Sequence, residues 1–479
     1  MHFYGQTPQH DLTYSDVFLV PSQSDVGSRL SVDLSPQDGT GATIPLVSAN
    51  MNAVTGPRLA ATMARMGGLG ILPQDLSTDA VAADITWVKQ QPTFAASAFV
   101  FGPDATVEEV RRAIPPLPGL GVVVVADSGE LIGAVSAEQV GRAVSDARVS
   151  DLVHSEATVL SVEEARDARA AFDILSTENG FGVVLDEGRV VGSLTAKQVM
   201  RSTVYRPFVD AHGRLAVGAA IGINGDVQGR ARALIDAGVD VLVVDTAHGH
   251  QLHTMRAVER VRDIAPEGMP IVAGNVVTAA GVSDLVAAGA SIIKVGVGPG
   301  AMCTTRMMTA VGRPQFSAVL ETSAQARALG AAVWADGGVR YPRDVALALA
   351  AGGASVMIGS WFAGTVEAPG QYRTDPQGRL YKTSYGMASS KAVSQRFAQV
   401  DPLERARKML FSEGISESRI YVDIERPSVE DLIDQITAGV RSSCTYAGAE
   451  NLAQFTENAL VGIQSAAGYD EGRALPQSW

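Results

Sequence analysis

Cysteine is scarce in this chain, with only Cys303 and Cys444 among its 479 residues. Two widely separated cysteines give no disulfide framework, and no CxxC pair or cysteine–histidine cluster predicts a zinc site. The sequence also lacks an uninterrupted apolar run of about eighteen residues, the length needed to cross a bilayer. The first residues, MHFYGQTPQHDLTYSD, have neither the basic region nor the apolar run of a signal peptide. We therefore expect a cytoplasmic protein that does not enter a membrane.

Positive charge is in short supply as well. The chain has 38 lysines and arginines against 51 aspartates and glutamates, a net charge of −13. This excess argues against non-specific binding to nucleic acid or to anionic membranes. It does not exclude a small anionic ligand, because a local site can be positive within an acidic protein. The length exceeds one ordinary domain but fits a barrel with an insertion.

Short apolar segments alternate with helical patterns over most of the sequence. This rhythm predicts eight parallel strands and therefore an α/β fold, a (β/α)₈ TIM barrel. A doubly wound open sheet is the alternative, but no GxGxxG follows the first strand. A closing helix is predicted over 429–440. The predicted strands cover residues 44–50, 68–72, 216–222, 240–249, 270–276, 292–297, 332–338 and 354–360.

The alternation of apolar and helical segments stops at about residue 92 and resumes at residue 216. The residues between these points contain an internal repeat. Segments 105–140 and 157–199 each show a helix, an apolar strand, a glycine turn, a second strand and a helix beginning at Ser136 or Thr195. The predicted domains are a first barrel part (1–92), an inserted domain (93–207) and a second barrel part (208–479). Within the second part, residues 365–427 have weak periodicity, which predicts an irregular flap over the carboxyl end of the barrel.

Residues at strand ends are the candidates for chemistry in a barrel. The sixth strand runs into a glycine-rich loop, 296–315, in which hydroxyls and Arg306 flank Cys303. This setting favours a thiolate and predicts a covalent nucleophile, although an inert buried thiol stays open as the alternative. Glycine-rich ends of strands seven and eight predict a phosphate site, beside which the Asp336 carboxylate suits a ribose diol. Together these features predict a nucleoside monophosphate ligand.

The loop sequence GPGAMCTTR, followed by VGRPQ, resembles the catalytic loop shared by inosine monophosphate (IMP) dehydrogenases and guanosine monophosphate (GMP) reductases. The stretches DTAHGH, AGNV, ADGGVRYPRD, MIGS with AGTVEAPG, and SYGM resemble further parts of that superfamily. The resemblance covers nearly the whole chain. One departure is Ala301, which stands where the family usually has a serine that bonds phosphate. A phosphate hydrogen bond is therefore expected to be lost or replaced.

In that superfamily the loop cysteine attacks purine C2, so the resemblance implies a thioimidate at Cys303. It also implies that Thr305 and Glu413, the latter in FSEGIS, carry a proton to departing ammonia. The residues implied to bind substrate are Asp336, Gly338, Gly359, Ser360, Tyr385, Gly386, Met387 and Gly414. Those implied to face the cofactor are Asp245, Thr246 and Asn275, and those implied to offer carbonyls to a potassium ion are Gly298, Gly300 and Cys303.

Three stretches resemble the reductases more than the dehydrogenases: RSSCTYAGA at 441–449, YGMASS at 385–390 and SRLSVDL at 28–34. Arg396 lies at the dehydrogenase position for the base that activates water, but Phe397 follows it where dehydrogenases have tyrosine. The whole resembles the IMP-dehydrogenase-related proteins of actinobacteria, a group implied to be GMP reductases that use NADPH. IMP dehydrogenase is the alternative, and a non-catalytic nucleotide-sensing protein is a third. The choice of NADPH over NADH is not readable from this barrel.

The internal repeat resembles a tandem CBS (Bateman) module, which most IMP dehydrogenases carry inside the barrel. Family members usually have an aspartate three residues after the serine or threonine that begins the last helix, to hold a nucleotide ribose. Gln139 and Gln198 stand at those positions here. The resemblance implies purine nucleotide effectors such as ATP or GTP at this module, and a homotetramer or an octamer. A purely structural or oligomerising insert is the alternative.

Overall fold

The computed structural model describes residues 1–5, 8–153, 157–177, 181–384, 401–410 and 418–474. Within those ranges, no helix is long and apolar enough to span a bilayer. The same ranges hold no group of three or more histidine, cysteine, aspartate or glutamate side chains placed to bind a metal ion.

Eight parallel strands close into a barrel, which confirms the predicted fold. Each strand pairs with its neighbours in chain order, and the eighth pairs with the first. The strands are short apolar runs, as expected for a sheet covered on both faces. Barrel strands one to eight are Leu46–Ser48, Leu69–Leu72, Gly218–Ile221, Val241–Asp245, Ile271–Val276, Ile292–Val295, Ala332–Asp336 and Ser355–Ile358.

A ring of helices surrounds the barrel. Pro57 and Pro342 occupy the first turns of two of them, where a proline loses no helical hydrogen bond. Ser77 caps another by accepting a hydrogen bond from the N–H of Ala80. The helices of the ring are Pro57–Arg65, Thr78–Gln90, Val227–Asp236, Leu252–Arg262, Ala279–Ala287, Gln315–Ala328, Pro342–Ala350 and Val429–Tyr446.

The last of these, the closing helix, is longer than predicted. It was expected to end at residue 440 but continues through Tyr446 and packs against helices Pro57–Arg65 and Pro342–Ala350. The polar residues RSS at 441–443 predict a helix end, although the helix continues through them. The hydroxyls of Ser442 and Ser443 donate hydrogen bonds to the carbonyls of Ala438 and Gly439. The next residue, Cys444, is fully buried.

The barrel interior is filled by alternating side chains of the strands. Val243, Ile292 and Trp334 are fully buried there. Because side chains alternate along a strand, the residues two positions later on the same three strands also point inward, nearer the carboxyl ends. Those residues are Asp245, Lys294 and Asp336, so the apolar filling ends in a charged layer.

Two small sheets of the same topology lie between barrel strands two and three. In each, a short first strand runs parallel to the second, and the second pairs antiparallel with the third. The sequence repeat therefore corresponds to a structural repeat, with a first strand in each unit that the pattern did not predict. The strands are Val100–Phe101, Gly121–Val125 and Leu131–Ser136, then Val159–Ser161, Phe181–Asp186 and Arg189–Thr195. The helices are Val107–Ala113 and Ala137–Arg142, then Val162–Arg166, Ala168–Thr177 and Ala196–Ser202.

The segment predicted to be irregular, 365–427, contains an antiparallel sheet. Its strands are Arg373–Thr374, Leu380–Ser384 and Ser418–Tyr421, and a helix spans Pro402–Leu410. Strands this short, with mixed polarity, leave no clear period in the sequence. A fourth small sheet joins the two ends of the chain through His2–Phe3, Leu460–Ile463 and Val17–Val20. The remaining helices are Thr305–Thr309, Leu452–Asn458 and Ala466–Glu471, with 3₁₀ turns at Tyr14–Asp16, Arg29–Ser31 and Val149–Leu152.

Candidate active site

A cavity of about 690 Å³ opens at the carboxyl ends of the barrel strands. Its volume suits a ligand of nucleotide size. Eight of the residues singled out from the sequence line it: Asp245, Thr246, Asn275, Gly298, Gly300, Cys303, Thr305 and Asp336.

Cys303 lies in the loop that follows barrel strand six. Its side chain is exposed, and its Sγ lies 3.2 Å from Oγ1 of Thr305. Gly298 has a φ of 84°, and a Cβ there would lie 2.2 Å from Cγ of Arg306. Only glycine allows the loop to fold back on itself at that point. The structure thus brings the predicted nucleophile and the predicted proton carrier together at the cavity wall.

Cys444 has the opposite environment. It is fully buried in the closing helix, and burial raises the pKa of its thiol to about 12. The alternative of an inert buried thiol therefore describes Cys444 and not Cys303.

Lys294 joins the two carboxylates of the charged layer. Its Nζ lies 2.8 Å from Oδ1 of Asp245 and 2.7 Å from Oδ2 of Asp336. Burial would lower the pKa of this ammonium, but the two carboxylates overcome that effect and hold the pKa above its usual value. Lys294 stays charged, and it fixes the predicted cofactor-side carboxylate and the predicted ribose carboxylate relative to each other.

Asn275 ties the fifth strand to this layer. Its Nδ2 donates to the Gly296 carbonyl at 2.6 Å and to Oδ2 of Asp336 at 2.9 Å. In the described part of the chain, its buried Oδ1 has no hydrogen-bond partner. The preceding residue is necessarily small, because a Cβ on Gly274 would lie 2.8 Å from Cβ of Lys294.

Further amides converge on the cofactor side. Nδ2 of Asn50 donates to Oδ2 of Asp245 at 3.0 Å, and Nε2 of Gln74 lies 3.5 Å from the same oxygen. The backbone of Thr246 exchanges hydrogen bonds with the fifth strand, since its N–H donates to the Gly274 carbonyl and its own carbonyl accepts from Asn275. Asp245 is therefore held by Asn50 and Gln74, which follow strands one and two, and by Lys294 of strand six.

The strand ends predicted to bind phosphate lie beside the catalytic loop. Gly337 and Gly338 have φ angles of 87° and 83°, and a Cβ on Gly338 would lie 3.2 Å from Cβ of Pro299. The loop after strand eight begins at Gly359 and Ser360, both partly exposed. These glycines leave backbone accessible at the rim of the barrel.

Several predicted residues lie outside the described ranges: Tyr385, Gly386, Met387, Arg396, Glu413 and Gly414. Their roles stay predictions.

The sequence reasoning missed Lys294 and Gln315. Gln315 begins the helix after the catalytic loop, and its Nε2 donates to the carbonyls of Val295 at 2.8 Å and Asp336 at 3.2 Å. It therefore links the end of that loop to the carboxyl ends of strands six and seven. The signal for Lys294 was present, because a charge inside the apolar run SIIKVGV must find a partner when the strand is buried.

In the inserted units, Gln139 and Gln198 act as helix caps. The Gln139 carboxamide accepts a hydrogen bond from the N–H of Ser136, whose hydroxyl accepts from the Gln139 N–H. Gln198 makes the same pair with Thr195, and its Nε2 also donates to Oε2 of Glu430 on the closing helix. Both side chains are thus engaged within the protein.

A parallel eight-stranded barrel with an exposed cysteine in the loop after strand six indicates the class of protein. The chain belongs to the IMP dehydrogenase/GMP reductase family, whose domain model matches residues 11–474.

Individual relatives match over almost their full length. A GMP reductase of Mycobacterium tuberculosis is 51% identical over 477 residues, with 99% of each chain covered. An inosine-5′-monophosphate dehydrogenase of Staphylococcus saprophyticus is 36% identical over 485 residues, with 96% of each covered. Among solved structures, a cysteine-to-alanine variant of GMP reductase from Trypanosoma brucei in complex with guanosine 5′-monophosphate matches with a TM-score of 0.70. It is 30% identical, and the match covers 98% of this chain and 99% of that one.

Proposed function

We propose that the chain is a GMP reductase, which converts GMP to IMP and ammonia with NADPH as the reductant. The observation that carries the proposal is the 3.2 Å contact between Cys303 and Thr305 at the wall of a nucleotide-sized cavity. The full-length similarity to a GMP reductase of M. tuberculosis supports the reductase branch of the family.

In the first half of the proposed reaction, the thiolate of Cys303 adds to C2 of GMP. The bond between C2 and the exocyclic nitrogen then breaks, and ammonia leaves with a proton from the enzyme, which creates a thioimidate between sulfur and C2. The contact between the Thr305 hydroxyl and the attacking sulfur supports a part for Thr305 in this proton transfer. Glu413, outside the described residues, is proposed as the proton source behind Thr305.

The second half needs a nicotinamide cofactor, which supplies a hydride to C2 when it is bound. The residues fit such a group, since the buried Oδ1 of Asn275 lacks a donor among the described residues and a carboxamide N–H would supply one. Asp245 and Thr246 flank the same side of the cavity. Cys303 then departs as a thiolate and IMP is released. NADPH in preference to NADH is part of the proposal.

Ribose and phosphate are assigned to the seventh and eighth strands. Both described side-chain contacts of Asp336 are made by Oδ2, which supports the assignment of Oδ1 to a ribose hydroxyl. Gly338, Gly359 and Ser360 would hold phosphate, with Tyr385, Gly386, Met387 and Gly414 proposed from the resemblance alone. Because Ala301 offers no hydroxyl, the phosphate hydrogen bond expected at that position is lost or replaced by one of these groups.

A potassium ion at the carbonyls of Gly298, Gly300 and Cys303 is also proposed. All three lie in one glycine-rich loop of the cavity wall. The Gly300 carbonyl already accepts the N–H of Cys303 at 3.0 Å, so an ion would share that oxygen with an internal hydrogen bond.

The inserted residues 93–207 are proposed to form a tandem CBS module that binds purine nucleotides such as ATP or GTP. A cavity of about 480 Å³ lies where the two units meet the barrel, with Leu120 and Phe181 in its wall. Since Gln198 is occupied by its cap and by Glu430, ribose recognition there would differ from the usual aspartate contact. The domain boundaries, a homotetramer or octamer, and the cytoplasmic location stay predictions.

Two reactions compete for the same site, and absorbance at 340 nm separates them. We expect a GMP-dependent fall with NADPH, accompanied by ammonia, and no rise with IMP and NAD. A rise with IMP and NAD alone would identify an IMP dehydrogenase and direct attention to Arg396. If neither mixture reacts, ATP or GTP is added to test whether the inserted module suppresses activity. If the absorbance still does not change, the result would support a non-catalytic nucleotide sensor.

A further inference from the structure

The loop after strand eight, residues 359–368, is a continuous series of turns. The N–H of Phe362 donates to the Gly359 carbonyl at 2.9 Å, that of Thr365 to Phe362 at 3.1 Å, and that of Ala368 to Thr365 at 3.3 Å. Each turn begins where the previous one ends. A displacement at the distal end of this loop therefore reaches Gly359 and Ser360, the proposed phosphate ligands.

Glu367 fastens the distal end of this loop to the closing helix. Its Oε1 accepts a hydrogen bond from the Ser428 hydroxyl and its Oε2 from the Val429 N–H at 2.9 Å. The N–H of Val366 also donates to the Pro427 carbonyl at 2.9 Å. The carboxylate thus serves as an N-terminal cap of a helix from a different part of the chain.

The first turns of the closing helix are in turn held by the inserted units. Arg201, on the helix Ala196–Ser202, is 7% exposed and contacts three carboxylates there. Its Nη1 lies 2.9 Å from Oε2 of Glu430, and its Nη2 contacts Asp431 and lies 2.7 Å from Oδ2 of Asp434. A buried arginine with three acidic partners is a strong and directional attachment.

The other side of the same loop is attached to the strand that leads towards SYGM. Nζ of Lys382 donates to the carbonyls of Thr365 at 2.8 Å and Ala368 at 2.6 Å. The loop is therefore clamped between Lys382 and the closing helix. We therefore expect a shift of the N-terminus of the closing helix to be transmitted along the loop to Gly359.

We propose that Glu367 is a positioning residue for the phosphate-binding loop and that Arg201 of the inserted units acts on substrate affinity through it. This inference rests on the proposed function, because it uses the assignment of Gly359 and Ser360 to phosphate. The contacts are contiguous. Arg201 binds Glu430, the Glu430 N–H donates to the Ser428 hydroxyl, that hydroxyl donates to Glu367, and the turns lead from Glu367 to Gly359. The placement of the inserted units thereby sets how well the barrel holds the nucleotide phosphate.

The test compares Arg201→Met, Glu367→Gln and the double variant in the full-length protein. We expect each single change to raise the KM for GMP and its calorimetric Kd about fivefold or more, the range of typical coupling between sites. The kcat and the KM for NADPH stay at wild-type values, because neither Cys303 nor the cofactor side is touched. In the double variant, the KM and Kd for GMP should rise little more than in either single variant, because both changes break the same series of contacts.

Arg169→Met is the matched control, since it removes an exposed pair with Asp173 inside the inserted units and leaves the closing helix alone. Asp434→Asn removes one of the three carboxylates that contact Arg201, so it is a milder change. It replaces Arg201→Met in the test if that variant does not fold. Its effect on the KM for GMP is expected in the same direction and smaller.

Wild-type turnover and GMP binding are measured first. Absence of both overturns the proposed function itself. Wild-type activity together with an unchanged KM and Kd in folded Arg201→Met or Asp434→Asn overturns only this inference. Independent, multiplying effects of Arg201→Met and Glu367→Gln also overturn it, because they would show that the two residues act separately.

Discussion

Nζ of Lys294 lies 2.7 Å from Oδ2 of Asp336, and the two residues come from neighbouring strands at the top of the barrel filling. The same ammonium reaches Asp245 on the other side. One buried cation therefore fixes the side chains assigned to ribose and to the cofactor.

Removing that cation takes the shared positive charge away from two neighbouring carboxylates. We expect Lys294→Met to lower the free energy of unfolding by about 3–5 kcal/mol, the usual cost of breaking a buried ion pair. Thermal or denaturant unfolding followed by circular dichroism measures this. Arg169→Met is the matched control, because Arg169 and its partner Asp173 are both exposed, and its loss is expected to cost about 1 kcal/mol or less. Equal stability of the Lys294 variant and wild type would show that the charged layer is not a structural unit.

Thr305 is expected to act in catalysis and not in binding. Thr305→Val keeps the side-chain shape but removes the hydroxyl beside the sulfur, so kcat should fall by about 10²-fold, as for loss of a proton-transfer group. The Kd for GMP, measured by calorimetry, should not change. Thr304→Val provides the control at the adjacent position. A wild-type kcat for the Thr305 variant would remove the residue from the mechanism.

The two cysteines should differ sharply towards iodoacetamide. Cys303 is exposed, whereas burial raises the pKa of Cys444 to about 12, which leaves almost no thiolate at pH 8. Peptide mapping of the native protein should find alkylation at Cys303 alone, and saturating GMP should slow it. Labelling of Cys444 at a comparable rate would contradict the packing of the closing helix.

Lys382 should make stability depend on pH. Burial lowers the pKa of its ammonium to about 7, with Glu367 acting in the opposite direction. The unfolded chain binds this proton up to a pH of about 10.4. Between about pH 7 and pH 10 the unfolded state therefore holds more protons, and the free energy of unfolding rises with pH by up to about 1.4 kcal/mol per unit. Below pH 7 Lys382 is protonated in both the folded and the unfolded state. The buried charge then lowers the free energy of unfolding by its full amount, and this contribution no longer changes with pH.

The variant Lys382→Met lacks this contribution. Melting temperatures of wild type and variant, taken from pH 6 to pH 10, should show the wild type gaining stability relative to the variant above pH 7. Parallel curves over the whole range would show that Lys382 keeps its ordinary pKa in the folded protein.

The barrel could be predicted from sequence because each of its strands is a continuous apolar run followed by a helical pattern. Residues at the strand ends followed from the same pattern, since a barrel brings all carboxyl ends to one face. The predicted Cys303 and Thr305 lie together because only one residue separates them. What the pattern could not supply was pairing over distance. Lys294 meets Asp336, 42 residues away in the chain, and nothing local indicates that partner.

The helix end and the sheet in 365–427 were missed for a different reason. The hydroxyls of Ser442 and Ser443 are satisfied by the helix itself, so polarity in RSS did not mark a helix end. Strands such as Leu380–Ser384 mix apolar and polar residues and bury Lys382 through contacts with a distant loop. These features depend on tertiary contacts that no window of sequence contains.

The most direct test of the account is a comparison of turnover and binding in Cys303→Ala. The account predicts that GMP reduction falls by at least about 10³-fold, because it assigns the bond to C2 to the Cys303 sulfur. The Kd for GMP should stay close to the wild-type value, since ribose and phosphate are assigned to strands seven and eight. Retained GMP reduction in Cys303→Ala would contradict the covalent mechanism and with it the central role of the loop after strand six.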